Sequence, residues 1–549
     1  MVFENEKQEQ ELLPQCLPYE LCALTNLRDR LRSGDIFVNI SRKFADFNSF
    51  LLSDIQWKIQ RAEFYRQMSL PSAPTLRIDQ RIEELESLLK PLDELLKDGG
   101  EIRLEEGILV VPALSTEDIP LSAKILREQI NQRLPKVNIT DIIKEVDSWT
   151  NFSQQLHGLE NEARNPEHQS LLYAAIFANG CNIPLSDLAR SSEIDYQSLW
   201  WASNNYLAEE SLKKANDMLV NYHHKQWLSG YWGGGTLSSS DGQRFPTSGK
   251  IRNAKALPNY FGYGKGITFY THTSDQYSQY GSKSISSTER DATYVLDEII
   301  GNETDLTILE HTTDTAGYSD LIFALFDLLG MDFCPRIRDI KDQRLCKIKD
   351  KEWDYPALKF TGNVNPSYLK QHFDELLRVA ASIKSGQVTA SLFISKLQSY
   401  PRQNNLMYVL QAYGQLIKTI FILKYLLSMP LRRKINTQLI KGEQLHNLRL
   451  YLWFGSDGFI RRKQEDQQQK VVRSLNLITN IVLVWNTVYQ QEIIKQLHQE
   501  GCSIDENDFE LISPAPFEHI NRLGKYSFAT NPILGPNGLR PLRKPKLNH

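Results

Sequence analysis

The chain has 549 residues, more than a single domain of about 100–200, so several domains are expected. Hydrophobic residues make up 41% and charged residues 23%, an ordinary globular composition. With 63 basic against 66 acidic side chains the formal net charge is -3. That excludes the strongly basic type of nucleic-acid-binding domain and leaves local phosphate-binding clusters open.

Residues 1–215 read as mainly helical. Apolar side chains recur at helical spacing over 78–96, where Pro91 marks a kink or division, and Gly99-Gly100 ends the run. Two short runs around Glu105-Glu-Gly107 predict a small hairpin near 101–112. Residues 139–215 return to helix, punctuated by Gly180 and Pro184. From about residue 225 the pattern changes. Gly233-Gly-Gly235 and Ser238-Ser-Ser240 flank a short strand leading into Asp241-Gly242, and 266–273 alternates as a strand. Ala292, Val295, Leu296, Ile299 and Ile300 form one apolar helix face, with Thr288 and Asp291 spaced as a capping box. A strand at 306–311 runs out at Thr313-Asp314-Thr315, a helix spans 319–329 up to Gly330, and 331–337 reads as another strand. Residues 365–440 are helical, and helices continue over 442–454 and 471–497.

This order predicts a mixed α+β architecture. A mainly helical region (1–215) precedes the first part of an α/β catalytic core (216–344). A helical insertion (345–440), the last core helices (441–500) and a C-terminal extension (501–549) follow.

Asp241 follows a Ser-rich strand and Asp314 sits where another strand runs out. Neighbouring strands would bring both carboxylates to one sheet edge. A third acid from a helix packed on that sheet completes an oxygen-only cage of the kind magnesium favours. Two such ions about 3.5–4 Å apart activate an attacking oxygen and stabilise a leaving one at a phosphodiester. Glu443, read as opening a helix through Leu448 and Leu452, is the third candidate. Each acid also has a plain structural reading: Asp241-Gly242 as a turn, Asp314 as a helix N-cap, Glu443 as a partner of the helix dipole. Composition and spacing alone do not select these three among 66 acidic residues.

Longer motifs do. Trp232-Gly-Gly-Gly-Thr-Leu-Ser-Ser-Ser-Asp-Gly-Gln-Arg-Phe245 resembles the first catalytic block of the Tn-three family of transposases, and Glu310-His-Thr-Thr-Asp-Thr-Ala-Gly317 the second. Ser287-Thr-Glu-Arg-Asp-Ala-Thr-Tyr-Val-Leu-Asp297, Pro335-Arg-Ile-Arg-Asp339 and Lys441-Gly-Glu443 are similar to further segments of that family. So are Arg473-Ser-Leu-Asn-Leu-Ile-Thr-Asn480, Val484-Trp-Asn-Thr-Val-Tyr489 and Glu518-His-Ile-Asn-Arg522. With Tyr19-Glu-Leu-Cys22 and Leu31-Arg-Ser-Gly-Asp-Ile36 the resemblance covers most of the chain. Gly234 departs from it, standing where an acid is expected, and the segment after Glu443 diverges more than the earlier blocks.

The resemblance implies an RNase H-like fold with an inserted helical region, and Asp241, Asp314 and Glu443 as catalytic acids holding two Mg2+ ions, with Mn2+ as a substitute. It implies cleavage at transposon ends and joining of 3′ hydroxyls to target DNA in replicative transposition, by a homo-oligomer on paired ends. Members of the family carry DNA-binding domains ahead of the region where this sequence begins, so a truncated remnant that binds without catalysis is the alternative reading. A free-standing metal nuclease is a third.

Around the proposed metal site, Arg244, Lys250, Arg252 and Lys255 crowd the segment after Asp241, and Arg336 and Arg338 share a face at a strand end. All six are candidates for DNA phosphate contacts, which position without reading sequence, weighed against ordinary solvated surface. Gly262-Tyr-Gly-Lys-Gly266 lacks phosphate-loop spacing. The histidines show no zinc spacing, and His311 is read as packing. Cys16, Cys22, Cys181, Cys334, Cys346 and Cys502 contain no Cys-x-x-Cys pair. The most apolar stretches, 416–431 and 475–484, are too short for a membrane span of about 20 residues, and no leader is apparent. A soluble, cytoplasmic, nucleoid-associated bacterial protein without membrane contact is expected.

Overall fold

A computed structural model describes residues 18–31, 36–41, 44–71, 73–105, 108–115, 118–158, 168–249, 251, 253–286, 291–315, 318–355, 358–398, 405–528, 534–535 and 537–544. Helix α1 covers 18–31, followed by α2 (Asp54–Gln67) and α3 (Leu76–Lys97). One stripe of α3, from Ile78 and Ile82 through Leu85, Leu89, Leu92 and Leu96, is buried, and Pro91 sits inside the helix without ending it. Strands β1 (Arg103–Glu105) and β2 (Ile108–Val110) pair antiparallel as the expected hairpin. Then come α4 (Leu121–Arg133), β3 (Val137–Asn138), α5 (Ile139–Thr150), α6 (Gln169–Gly180), α7 (Leu185–Ser191), α8 (Tyr196–Tyr206), α9 (Glu209–His224) and the short α10 (Ser229–Trp232).

The central sheet is built from β4 (Leu237–Pro246), β5 (Lys255–Ala256), β6 (Lys265–Ser274), β7 (Gln279–Ser286), β8 (Glu310–Thr313) and β9 (Asp332–Phe333). Between them lie the short α11 (Pro258–Phe261) and α12 (Asp297–Ile300), and α13 (Asp320–Leu328). Strands β7, β6 and β4 are antiparallel neighbours, β8 and β9 continue from β4 in parallel, and β5 pairs with the first residues of β6. A separate parallel pair, β10 (Leu345–Ile348) with β11 (Phe360–Val364), precedes α14 (Pro366–Lys384), α15 (Ala390–Gln398), α16 (Asn405–Leu427), α17 (Met429–Leu452) and α18 (Glu465–Gln499). Strand β12 (Ile520–Asn521) pairs with β3.

Two apolar cores lie against this sheet. One gathers α3, α13, α14 and α16 with Tyr270, Tyr280 and Ile285 of the sheet. The other gathers α5, α6, α9, α17 and α18 with Phe245, Ile267 and Phe269. Helices α16 and α18 run well past the apolar stretches seen in sequence. Both are long and apolar enough to cross a membrane, and most of the apolar window of each lies inside the protein, 94% of it for α18.

Tertiary packing overrides several local expectations. Strand β4 continues through Asp241-Gly242 because all of it from Ser238 to Pro246 pairs with β6, which outweighs the turn preference of Asp-Gly. The strand expected at 306–311 forms later, at β8, after the Leu309 and Glu310 amides both donate to the Thr236 carbonyl. The strand expected at 331–337 shrinks to β9. The apolar helix expected over 292–300 breaks into a 3-10 turn (Asp291–Tyr294) and α12. There Asp297 is drawn to α15, accepting from the Ser391 amide and hydroxyl, and Lys283 donates to it. Thr288, the proposed cap, lies outside the described residues. Strand β7 is polar and has no counterpart among the expected elements. Amide side chains of α18 supply its bonds: Gln279 N donates to Asn480 Oδ1, Ser284 N to Gln469 Oε1, and Gln469 Nε2 donates to Ser282 O.

Two measurements test this packing. A Cβ on Gly414 of α16 would stand 1.8 Å from the Asp320 carbonyl oxygen at the start of α13. Gly414→Ala is expected to lower stability by about 3 kcal/mol, read from urea unfolding. His223 is buried between Ser278 Oγ (2.7 Å) and Thr487 Oγ1 (2.8 Å), and burial pushes it down to about 3. The unfolded state then binds more protons between about pH 6.5 and 3, so this stability is complete above 6.5 and is lost as pH falls. His223→Gln is expected to flatten the fall in the urea midpoint over that window, whatever its effect at pH 7.

Candidate active site

Strand alternation decides which side chains can meet. Along β4, Ser238 and Ser240 point to one face: the Ser238 hydroxyl lies 2.7 Å from His311 Nδ1 and the Ser240 hydroxyl 2.8 Å from His311 Nε2. His311 stacks on Phe326 of α13, and burial holds it well below its usual range, neutral and structural. Ser239, Asp241 and Gln243 point to the opposite face, where α17 lies. Gln438 Nε2 donates to Ser239 Oγ and to the Thr273 carbonyl, each at 3.1 Å. Further along, Gln243 Nε2 donates to the His446 carbonyl (3.0 Å), and Arg449 Nε donates to Gln243 Oε1 (3.1 Å).

Parallel pairing sets Ser239 against Thr312 and Ser240 against Thr313. Asp241 and Asp314 are therefore the next residues on adjacent strands, and the two-residue period puts both on the α17 face. Both carboxylates are about half exposed, with relative side-chain exposures of 49% and 50%. Asp241 Oδ1 accepts from the Gly242 amide at 2.7 Å. His446 Nδ1 lies 3.7 Å from Asp241 Oδ2, too far for a hydrogen bond. Burial pushes His446 down to about 4, with Asp241 opposing only in part, so the ring is neutral at neutral pH. Its Nε2 has no hydrogen-bond partner among the described residues. Asp314 Oδ1 accepts from Arg336 Nη2 (2.7 Å) and from Thr315 Oγ1 (3.2 Å). Burial raises the Asp314 carboxyl, but the Thr315 amide and the Arg336 guanidinium outweigh it and hold the group below the usual carboxylate range.

Glu443 does not open a helix: it lies inside α17, because apolar contacts carry that helix from Met429 to Leu452 without a break. It is exposed, on the flank of α17 three residues before His446 and hence its neighbour on the helix surface. The structure thus brings Asp241 and Asp314 side by side and lays α17 over them. It does not close Glu443 onto the pair, for no three His, Cys, Asp or Glu side chains among the described residues form a metal-sized cluster. As a donor set the accessible, hard carboxylate oxygens of Asp241 and Asp314 fit a divalent cation. Arg336 holds one of those oxygens.

Of the predicted phosphate contacts, Arg244 lies over the Tyr260 ring (4.4 Å to its centroid), and Lys255 is exposed on β5. Arg336 is committed to Asp314, and Arg338 is exposed beside Asp339. Lys250 and Arg252 lie outside the described residues. Sequence reasoning missed His446, Gln438, Lys441 and Arg449. Lys441 stood in the Lys441-Gly-Glu443 motif without a role assigned to it, and the other three read as polar residues of a solvated helix face. Arg449 is fully buried with no acid in ion-pair reach among the described residues, and burial pushes it down to about 9.

A carboxylate just past the end of β8, beside one within β4 where the parallel pairing stops, and backed by a helix, gives a mixed α+β protein with a polar site on its sheet. The chain belongs to the family described as Tn3 transposase DDE domain, which it matches over residues 141–526. It is 39% identical to the transposase for transposon Tn1546 of Enterococcus faecium, over 96% of this chain and 53% of that protein. Identity to the transposase for transposon Tn501 of Pseudomonas aeruginosa is 38%, over 96% and 54%. The transposase for transposon gamma-delta of Escherichia coli (strain K12) is 34% identical, over 93% and 52%. The chain spans about half the length of the curated relatives it matches.

Lys441 tests the seating of α17. Its Nζ donates to the carbonyls of Trp232 (2.8 Å) and Asp275 (2.6 Å), and burial pushes its pKa down to about 8. Lys441→Met leaves both carbonyls without that donor and is expected to cost about 2 kcal/mol in urea unfolding.

Proposed function

We propose that this chain carries the catalytic part of a DDE transposase, which cleaves DNA at transposon ends and joins the freed 3′ hydroxyls to target DNA. The observation that supports it most directly is the register that sets Asp241, within β4, beside Asp314, just past β8, under α17. The strand order β7-β6-β4-β8-β9, three antiparallel strands continued by two parallel ones, supports reading the core as RNase H-like. In this reading residues 216–344 and 441–500 form the core and 345–440 an insertion.

Asp241 and Asp314 hold divalent cations, magnesium with manganese as a substitute, and Glu443 completes the set from α17. When bound, two such ions activate the attacking oxygen and stabilise the leaving one. The rest falls to the protein. Arg336 balances the charge of Asp314. The neutral His446 ring packs beside Asp241 without contributing charge. Arg244, Lys255 and Arg338, with Lys250 and Arg252 of the segment after Asp241 that lie outside the described residues, are the proposed contacts for DNA phosphates. A homo-oligomer on paired ends, acting in the cytoplasm at the nucleoid, is part of the same reading.

The test is magnesium-dependent joining of precut transposon-end DNA to a plasmid. Asp241→Ala, Asp314→Ala and Glu443→Ala are each expected to lower joining by about 100-fold or more. Chelation should abolish it and manganese restore it. Joining that survives Glu443→Ala while the other two abolish it would remove Glu443 from the site. Joining that survives all three would overturn the proposal.

A further inference from the structure

Next to Glu443, α17 forms one wall of a cavity that the chemistry above does not use. Gln444 and Asn447, just after Glu443, line a cavity of about 310 Å³ whose opposite wall is Arg127 and Asn131 of α4. Arg127 and Asn131 also line a second cavity, of about 600 Å³, together with Lys124, Glu128, Arg543 and Lys544. The two cavities therefore share a wall at Arg127 and Asn131. Lys124, Arg127, Glu128 and Asn131 fall at i, i+3, i+4 and i+7, one exposed stripe of α4.

Lys124, Arg127, Arg543 and Lys544 are all exposed, and none lies within ion-pair distance of an acid among the described residues. The acid on the same stripe, Glu128, accepts a hydrogen bond from Gln132 (3.0 Å). Arginines next to the cleft that serve the fold are paired. Arg133 forms a two-bonded fork with Glu500, both bonds 2.7 Å, and Arg540 reaches Asp141 (3.0 Å) and Glu145. That pairing, with Arg540 N donating to Tyr489 OH and Arg543 N to the Arg133 carbonyl, fixes the backbone that presents Arg543 and Lys544. Four exposed cations without an ion-pair partner among the described residues outnumber the two acids that line the same cavities, Glu128 and Glu518, so the local charge is positive on a chain of net charge -3.

We propose that this cleft, between α4, α17 and residues 540–544, carries the phosphate backbone of duplex DNA running away from the carboxylates, with Lys124, Arg127, Arg543 and Lys544 as phosphate contacts. The proposal rests on the reading of Asp241, Asp314 and Glu443 as acting on DNA. A repeating polyanion suits a row of cations better than a single small anion does, and contacts of this kind position without selecting sequence.

The experiment is fluorescence anisotropy of the full chain with a labelled random-sequence duplex, in chelator, across a range of salt. The pairs Lys124→Glu with Arg127→Glu and Arg543→Glu with Lys544→Glu are each expected to weaken binding at low salt about tenfold or more. Each should also reduce the slope of log affinity against log salt by about 2, because each cation removed leaves one phosphate with its counterion. Lys58→Glu with Lys90→Glu, an equal charge change on α2 and α3, should move neither. Arg127→Gln and Lys544→Gln, milder changes at exposed positions, should each reduce the slope by about 1 should a double reversal unfold the chain. Unchanged affinity and slope in the reversed pairs, or a parent chain that binds no duplex at low salt, would overturn the proposal. With metal chelated the result is independent of the three acids, whose failure would show in the joining assay instead.

Discussion

Parallel pairing of β4 with β8, Ser240 against Thr313, is the constraint on which the site depends. A slip of one residue would turn every β8 side chain to the other face, carrying Asp314 into the His311 layer and His311 toward Asp241. Both faces resist that slip. On one, His311 is bonded to Ser238 and Ser240 and stacked on Phe326. On the other, Lys434 of α17 pairs with Glu310 of β8. The buried histidine network is thus the reverse side of the carboxylate pair: its bonds hold the strands in the register that aligns the acids.

Helix α17 works as a ruler laid along β4. Gln438, His446 and Arg449 meet Ser239, Asp241 and Gln243 in order, and Lys441 anchors the helix to two backbone carbonyls at the entrance to the sheet. Little of this is apolar. A buried guanidinium answered only by amide oxygens, Gln243 Oε1 and Gln279 Oε1, is costly compared with a hydrophobic contact. It places a fixed positive charge beneath a surface that carries carboxylates, and the exposed flank of the same helix leads from Glu443 to the basic cleft.

The sheet also joins two parts of the chain that are far apart in sequence. Residues 50–97 pack with the helices of 366–427 on one side, and residues 139–224 pack with α17 and α18 on the other. Neither half of the helical N-terminal region forms a core alone. Each buries much of its apolar surface against helices that the chain makes several hundred residues later.

From the sequence alone came the hairpin, the long α3, strand β6, helix α13, the mixed α/β layer and the adjacency of Asp241 and Asp314. The elements carry strong local periodicity, and the acids lie in long motifs whose resemblance covers most of the chain. What the sequence could not decide was how these parts meet. Asp241-Gly242 reads locally as a turn, and only pairing with β6 makes it mid-strand. The polar β7 has no apolar signal because α18 amides, about 200 residues on, satisfy its backbone. Glu443 reads as a helix start because the contacts that run α17 through it are tertiary. His446, Arg449 and the unpaired cations of the cleft are single polar side chains, alike in sequence to any solvated residue. Burial and neighbours alone distinguish them, and those exist only once the two cores have closed on the sheet.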